Sequence, residues 1–259
     1  MGVKELFDLS GKVAIITGAG RGLGEFIAEA FAEAGANIVL CSRKIENCEE
    51  VARKLQSFGV RTLALKCDIS NPQDVKEVVN QTLEQFGSVD ILVNNSGATW
   101  AAPVEEMPLE AWKKVIDVNI TGTFLMSQEV GKIMIKQHQG KIINLSSIAG
   151  FGGTNPEYMN TIGYNTSKGA INTFTKDLAV KWGEYNINVN AIAPGSFPTK
   201  MSTEMLEQSK DYFISNTPLK RFGSKEDLKG VAVFLASKAS DFITGEIITV
   251  DGGVSAINS

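Results

Sequence analysis

The sequence predicts a doubly wound α/β fold, a mostly parallel sheet with helices on both faces joined by right-handed crossovers. Two observations carry that expectation. Short, near-continuous apolar runs alternate with longer stretches of helical period, and the first run ends in a glycine-rich turn that opens the first long helix. Strands covered on both faces have no solvated side, so they read as unbroken apolar runs rather than as alternating ones.

Strands are expected at Val13–Thr17, Asn37–Cys41, Thr62–Lys66, Ile91–Asn94, Lys141–Leu145, Asn188–Ala193 and Glu246–Val250. Between them the helical period predicts Gly22–Ala34, Ile45–Ser57, Pro72–Phe86, Pro108–Lys136, Tyr164–Gly183 and Lys225–Ser237. Gly35 supplies a stop for the first helix, and Ser70-Asn71-Pro72 sets a capping side chain before a first-turn proline in the third. No repeat, low-complexity tract or linker breaks the alternation. A single domain over residues 1–259 is therefore expected.

Composition narrows the functional classes. With 43% hydrophobic and 21% charged residues, the chain has ample material for one large core. A net charge of −4 speaks against a nucleic-acid partner, whose footprint is basic and clustered. Cys41, Cys48 and Cys67 are odd in number and form no CxxC pair, which fits reduced thiols and no metal site. Met1–Ser10 lacks an apolar signal region, and no apolar run is long enough for a bilayer. The expectation is a cytoplasmic protein without a membrane span.

The glycine-rich turn reads Thr17-Gly18-Ala19-Gly20-Arg21-Gly22-Leu23-Gly24. Glycines there let the backbone approach a pyrophosphate, and the helix N-terminus adds unpaired N–H groups and a favourable dipole. The turn follows a strand, opens a helix and precedes a second strand, which is the context a dinucleotide site requires. Gly18, Gly20, Arg21, Gly22, Leu23 and Gly24 are thus cofactor candidates. The second strand ends in Cys41-Ser42-Arg43-Lys44, where an NAD-selective site places an acidic side chain on the ribose. Ser42 is uncharged, and the Arg43 fork suits a 2′-phosphate, with Arg21 a second cation. NADP(H) is the expected cofactor, NAD(H) the alternative.

Three further segments sit where the strands deliver their carboxyl ends. Tyr164-Asn165-Thr166-Ser167-Lys168 places a tyrosine and a lysine on one helical face. Leu145-Ser146-Ser147-Ile148-Ala149-Gly150 closes the fifth strand, and Asn94-Asn95-Ser96-Gly97 closes the fourth. Together with Cys67-Asp68-Ile69, Val118–Gly122 (VNITG), Ala193-Pro194-Gly195 and Gly245–Gly253, these motifs resemble the short-chain dehydrogenase/reductase family over essentially the whole chain.

The resemblance implies a small-molecule oxidoreductase, residue by residue. Ser147 would hold the substrate oxygen, Tyr164 would exchange the proton, and Lys168 would bind the nicotinamide ribose and lower the tyrosine pKa. Asn119 would position a water linking Lys168 to solvent. Asp68 and Ile69 would contact adenine. Asn95, Ser96 and Gly97 would support the middle of the cofactor, with Pro194, Gly195 and Phe197 near the nicotinamide. Free tyrosine titrates near ~10, so a nearby ammonium is a sensible way to recruit it. Ser146 competes with Ser147, and the family's serine-x-x-glycine spacing to Gly150 selects Ser147.

One departure is a spacing of 17 positions (164 − 147) from Ser147 to Tyr164, longer than is typical of the family, with extra residues in Thr154–Thr161. The fourth-strand motif also has Ser96 where relatives usually have alanine. Leu6–Lys12 and Pro194–Met201 resemble members that act on sugar acids, like gluconate 5-dehydrogenase; a 3-oxoacyl-thioester reductase and a non-catalytic dinucleotide sensor are the competing readings. His138, the lone histidine, reads as a solvated helix end. Trp112, Val115, Ile116 and the apolar face of the Tyr164 helix are expected either in a homotetramer interface or buried within the chain.

Overall fold

The computed structural model describes residues 2–199, 206–207 and 209–257. Its strands are β1 (Val13–Thr17), β2 (Asn37–Ser42), β3 (Thr62–Lys66), β4 (Ile91–Asn94), β5 (Gly140–Leu145), β6 (Ile187–Pro194) and β7 (Ile247–Val250). They form a seven-stranded sheet in the order β3-β2-β1-β4-β5-β6-β7, every pairing parallel. The chain winds outward from β1 to β3, then returns to lay β4 against the other side of β1. Connections leave β1 and β4 in opposite directions, and the crevice between them is where ligands bind in open sheets of this kind.

The strand register explains the unbroken apolar runs. Ala14, Ile16, Ile38, Leu40, Ile91 and Val93 face one core, whereas Val13, Ile15, Val39, Cys41 and Leu92 face the other. The first core is closed by α1 (Leu23–Glu33), α2 (Ile45–Leu55) and α7 (Lys225–Ala236) through Ile27, Phe31, Val51, Leu55, Leu228 and Leu235. The second is closed by α3 (Pro72–Phe86), α5 (Gly122–Gln137) and α6 (Ile162–Trp182) through Val75, Val79, Met126, Val130, Met134 and Ala179. Each fully buried side chain of this size contributes roughly 1.5–3 kcal/mol, so the two cores supply most of the driving force.

One expected helix is more elaborate than its period suggests. The stretch expected as Pro108–Lys136 is α4 (Leu109–Ile116), a π-helical turn at Asp117–Thr121, and then α5. The extra residue in that turn shifts the register between α4 and α5, and the turn carries the buried Asn119. Single π turns inside α-helices recur at functional sites. Trp112 and Val115 of α4 lie against Gly163 of α6, with Val115 buried and Trp112 and Ile116 half-buried. Gly131 of α5 leaves the space that the Trp182 ring of α6 fills.

His138 is exposed, ends α5 in a left-handed conformation and lies at the amino edge of the sheet, as expected for a helix-terminal residue. The three cysteines are free and buried. Among the described residues, no helix is long and apolar enough to cross a membrane, and no cluster of His, Cys, Asp or Glu has the arrangement of a metal site.

The start of α3 gives a direct test of the local reading. The Asn71 side chain accepts from the Gln73 N–H at 2.9 Å, ahead of Pro72. Asn71→Ala is expected to lower stability by about 1 kcal/mol in chemical denaturation, with cofactor affinity unchanged. A loss below a few tenths would show that the cap is solvated rather than stabilising.

Candidate active site at the carboxyl edge of the sheet

A cleft of about 650 Å³ opens along the carboxyl ends of β1, β2 and β4 and reaches the α6 face that carries Tyr164 and Lys168. Its wall includes Gly18, Gly20, Arg21, Gly22, Leu23, Ser42, Arg43, Asp68, Ile69, Asn95, Ser96, Gly97, Tyr164 and Lys168, fourteen of the residues singled out from the sequence. Local packing explains why the turn must be glycine-rich. Gly18 and Gly22 adopt φ of +65° and +63°, a region that favours glycine. A Cβ on Gly24 would lie 2.4 Å from the Asn95 Nδ2.

Asn95 is the tie that fixes this turn. Its Nδ2 donates to the carbonyls of Thr17 and Gly18 at 2.9 and 3.2 Å. In return the Thr17 hydroxyl oxygen accepts the N–H groups of Asn95 and Ser96, each at 3.0 Å. The end of β4 and the turn after β1 are thereby locked across the crevice.

At the outer end the wall is cationic. Arg21, Arg43 and Lys44 all border the cleft. The one carboxylate on this wall, Asp68, accepts from the Ser70 N–H at 3.0 Å and hydroxyl at 2.6 Å. Those bonds, aided by Arg43, hold its pKa below the usual carboxylate value despite partial burial. Ser42 donates its hydroxyl to the Lys44 carbonyl at 2.8 Å and accepts from the Cys48 thiol at 3.3 Å, so its contribution is to shape this loop.

At the inner end, three elements meet. Lys168 is buried, and its Nζ donates to the Leu145 carbonyl at the end of β5 at 2.5 Å. Burial pulls its pKa down to about 8. The Lys168 Nζ lies 5.5 Å from the centre of the Tyr164 ring. Burial pushes the Tyr164 phenol up, and a hydrogen bond with Ser147 offsets part of that rise. The main influence on Tyr164 is thus burial, where the resemblance implied a lowering by Lys168.

The competition between the two serines has a structural answer. Ser146 donates to the Asn172 Oδ1 at 2.5 Å and to the Lys168 carbonyl at 3.3 Å, which ties it to α6. Ser147 starts the short turn Ile148–Gly150, and its Oγ accepts from the Ala149 N–H at 3.2 Å. A Cβ on Gly150 would meet the Lys168 carbonyl carbon at 2.6 Å and the Gly169 nitrogen at 2.9 Å. The serine-x-x-glycine spacing is therefore a packing requirement, because only glycine lets the Ser147 turn lie on the α6 backbone.

Asn119 stands behind this group. Its Nδ2 donates to the Ser167 Oγ at 2.8 Å and the Ala98 carbonyl at 3.0 Å, and its Oδ1 accepts the Ala98 N–H at 2.7 Å. It joins the π turn to α6 and to the loop after β4, set back from the cleft wall. Pro194 ends β6, and Gly195 N–H bonds to the Val250 carbonyl at 3.0 Å. Phe197 is buried, packs on Gly223 and lines a second cavity with Thr217 and Leu219 rather than the main cleft. Lys200 and Met201, part of the quoted Pro194–Met201 stretch, lie outside the described residues. The wall also includes Val118 of the VNITG motif, Thr199 of the Pro194–Met201 stretch, and Asn47, which lies in no quoted motif.

Comparison with known proteins agrees with this arrangement. A family model described as "Enoyl-(Acyl carrier protein) reductase" matches residues 18–255. A 2-dehydro-3-deoxy-D-gluconate 5-dehydrogenase of Dickeya dadantii is 41% identical over 251 residues, 95% of this chain and 96% of its own. A 3-oxoacyl-(acyl-carrier-protein) reductase of Aquifex aeolicus is 36% identical over 247 residues, 95% and 98% of the two chains. Among solved structures, a gluconate 5-dehydrogenase from Burkholderia cenocepacia, in complex with NADP and tartrate, superposes with a TM-score of 0.93 at 34% identity, covering 98% of this chain and 99% of that one. The chain belongs to the short-chain dehydrogenase/reductase family. It is an oxidoreductase that acts on CH–OH donors.

The Gly150 contact yields a test with an internal control. Gly150→Ala is expected to cut turnover at least tenfold, because the Lys168–Gly169 peptide of α6 resists the methyl. Gly152→Ala, with nothing within 4 Å of the added atom, is expected to behave as wild type. Equal turnover in the two variants would remove the packing explanation.

Proposed function

We propose that the chain interconverts a secondary alcohol and a ketone on a short sugar acid or polyol, using NADP(H), with Tyr164 as the group that gives and takes the proton. The observation that carries this reading is that Tyr164 and Lys168, with Ser147 acting on the Tyr164 phenol from beyond the wall, border the same cleft as Arg21, Arg43 and Lys44. One long cleft with a cationic end and a buried acid–base end suits an extended, phosphorylated cofactor with its reactive ring held against Tyr164.

The residues fit that cofactor. Side chains at Gly18, Gly20 and Gly24 would crowd their neighbours, and the N-terminus of α1, which has no side-chain cap, borders the cleft through Gly22 and Leu23, where a pyrophosphate would lie. Arg43 and Arg21 would hold the 2′-phosphate, and Asp68 and Ile69 would border the adenine. When bound, the dinucleotide supplies or takes up the hydride.

In the reductive direction Ser147 donates a hydrogen bond to the carbonyl oxygen, and Tyr164 donates its phenolic proton as that oxygen gains charge. The product is the alcohol and a tyrosinate. Burial keeps the resting phenol protonated, which suits an acid. Lys168 stands next to it with a pKa brought down to about 8, placed to return a proton, and Asn119 positions Ser167 and the lysine-bearing helix behind it. In oxidation each transfer reverses.

The sugar-acid reading is supported by the names of the Dickeya and Burkholderia relatives and by the polar side chains of Thr154–Thr161. The Aquifex relative favours the second reading, a 3-oxoacyl-thioester reductase. A non-catalytic sensor would have no use for a buried lysine beside a half-buried tyrosine on the cleft wall. The same proposal places one catalytic and cofactor-binding domain in the cytoplasm as a homotetramer. Exposed apolar side chains on α4, α5 and α6, Leu109, Phe124 and Val180, support the assembly.

Three measurements test this reading. Tyr164→Phe is expected to lower turnover by at least ~100-fold with NADPH affinity nearly intact. Arg43→Ala is expected to weaken NADPH by roughly 1.5–3 kcal/mol and leave NADH unmoved; equal effects on both would assign Arg43 a structural role. For reduction, activity is expected to be flat below about pH 8 and to fall by about tenfold per pH unit above it, as Lys168 loses its proton. The sign follows from burial, which brings the loss of charge down from the ordinary lysine range. A profile flat to pH 10 would take Lys168 out of proton return.

A further inference from the structure

The extra residues between Ser147 and Tyr164 form a tied loop. The Asn165 side chain, next to Tyr164, donates to the Thr154 Oγ1 at 3.2 Å and accepts from the Thr161 Oγ1 at 2.9 Å, so both ends of the loop are fixed to the start of α6. Thr154 Oγ1 also donates to the Met159 carbonyl at 2.9 Å. The Asn160 carbonyl accepts the Ala102 N–H at 3.0 Å, which joins the loop to the segment leaving β4.

The loop's aromatic residue reaches a third segment. The Tyr158 ring stacks on Tyr212 with centroids 3.5 Å apart and planes 13° from parallel. Tyr212 lies on the short helix Lys210–Ser215, in the connection between β6 and α7, and Phe213 meets it edge-on at 5.4 Å. Connections from the carboxyl ends of β4, β5 and β6 are thus joined beside Tyr164, on the side of the sheet where substrates bind.

Building on the proposed function, we infer that the Tyr158–Tyr212 stack is a clasp that closes the substrate side of the cleft and selects compact, hydroxylated keto acids over long acyl chains. A short polar substrate fits beneath the joined segments and meets their hydroxyl and amide groups. A long acyl chain has to leave the cleft between the insertion and the Lys210–Ser215 helix, which requires the stack to part. The clasp also accounts for Glu157. Burial and the adjoining Glu157 charge push the Tyr158 phenol up. Glu157 is exposed beside the clasp, its N–H donating to the Asn155 Oδ1 at 3.0 Å, where a carboxylate aimed at the reacting centre would repel an acidic substrate. Tyr158 and Tyr212 are specificity-determining residues in this account, set apart from the reacting atoms.

The test uses Tyr158→Ala, Tyr212→Ala, the double variant and Tyr158→Phe of the full-length protein, with two readouts. The first is limited trypsin digestion after Lys210 without substrate. Tyr158→Ala is expected to speed that cleavage at least fivefold, and Tyr158→Phe, which keeps the ring, to leave it unchanged; unchanged cleavage in Tyr158→Ala overturns the clasp. The second is NADPH oxidation with 5-ketogluconate and a 3-oxododecanoyl thioester. Each alanine variant is expected to raise KM for the keto acid about tenfold with little change in kcat, and to improve the thioester relative to it. The double variant is expected to be no worse than either single one, because each breaks the same contact. Additive losses, or an unmoved substrate ranking, overturn the specificity role. A wild-type enzyme that turns over neither compound sinks the proposed function instead, and the digestion result then decides the clasp alone.

Discussion

The close contact between the end of β5 and the backbone of α6 governs everything else at this site. Lys168 reaches the Leu145 carbonyl, Ser146 bonds the Lys168 carbonyl and Asn172, and Gly150 lies directly on the Lys168–Gly169 peptide. These contacts fix the axial position of α6 relative to the strand. Ser147 and Tyr164, seventeen positions apart in sequence (164 − 147), meet as a consequence. Moving α6 by one residue would turn Tyr164 by about 100° around the helix and away from Ser147. Gly131 against Trp182 and Asn119 against Ser167 hold the same helix from its other side.

Much of this was legible in the sequence because the underlying constraints are local. Two-sided burial leaves apolar runs, so each strand was found within a residue or so of its bounds. Glycines forced by positive φ or close approach leave a fixed pattern, so the turn after β1 was legible residue by residue. Ser147 was chosen over Ser146 by a spacing, and Gly150 supplies the reason for it. The π turn at Asp117–Thr121 was not legible, since one extra residue barely disturbs the helical period. Asn47 and Thr199 reach the wall only through tertiary folding. Phe197 was grouped with the cofactor residues by its place in the chain, while its apolar ring packs on Gly223. The Tyr158–Tyr212 contact joins residues far apart in sequence and leaves no periodic trace at all.

Electrostatically the cleft is divided. Its outer end collects cations exposed to water, where they attract phosphate without a large desolvation cost. Its inner end sets a half-buried phenol beside a buried ammonium. Burial moves the two in opposite directions, the tyrosine up from 10.0 and the lysine down to about 8, which separates two groups that titrate almost together in water. The phenol thereby holds its proton at rest, while a protonated Lys168 is the stronger acid of the pair and the one able to hand a proton to a tyrosinate.

The central claim is that this inner end directs hydride to a carbonyl carbon rather than to a carbon–carbon double bond, which the description of the matching family model names. The most direct measurement supplies NADPH deuterated at the transferring position, with 5-ketogluconate and an enoyl thioester in parallel, and locates the label by mass spectrometry and NMR. The account expects one deuterium on the carbinol carbon of the reduced keto acid and none in the enoyl product. Label in the saturated thioester with none in the sugar acid would contradict it.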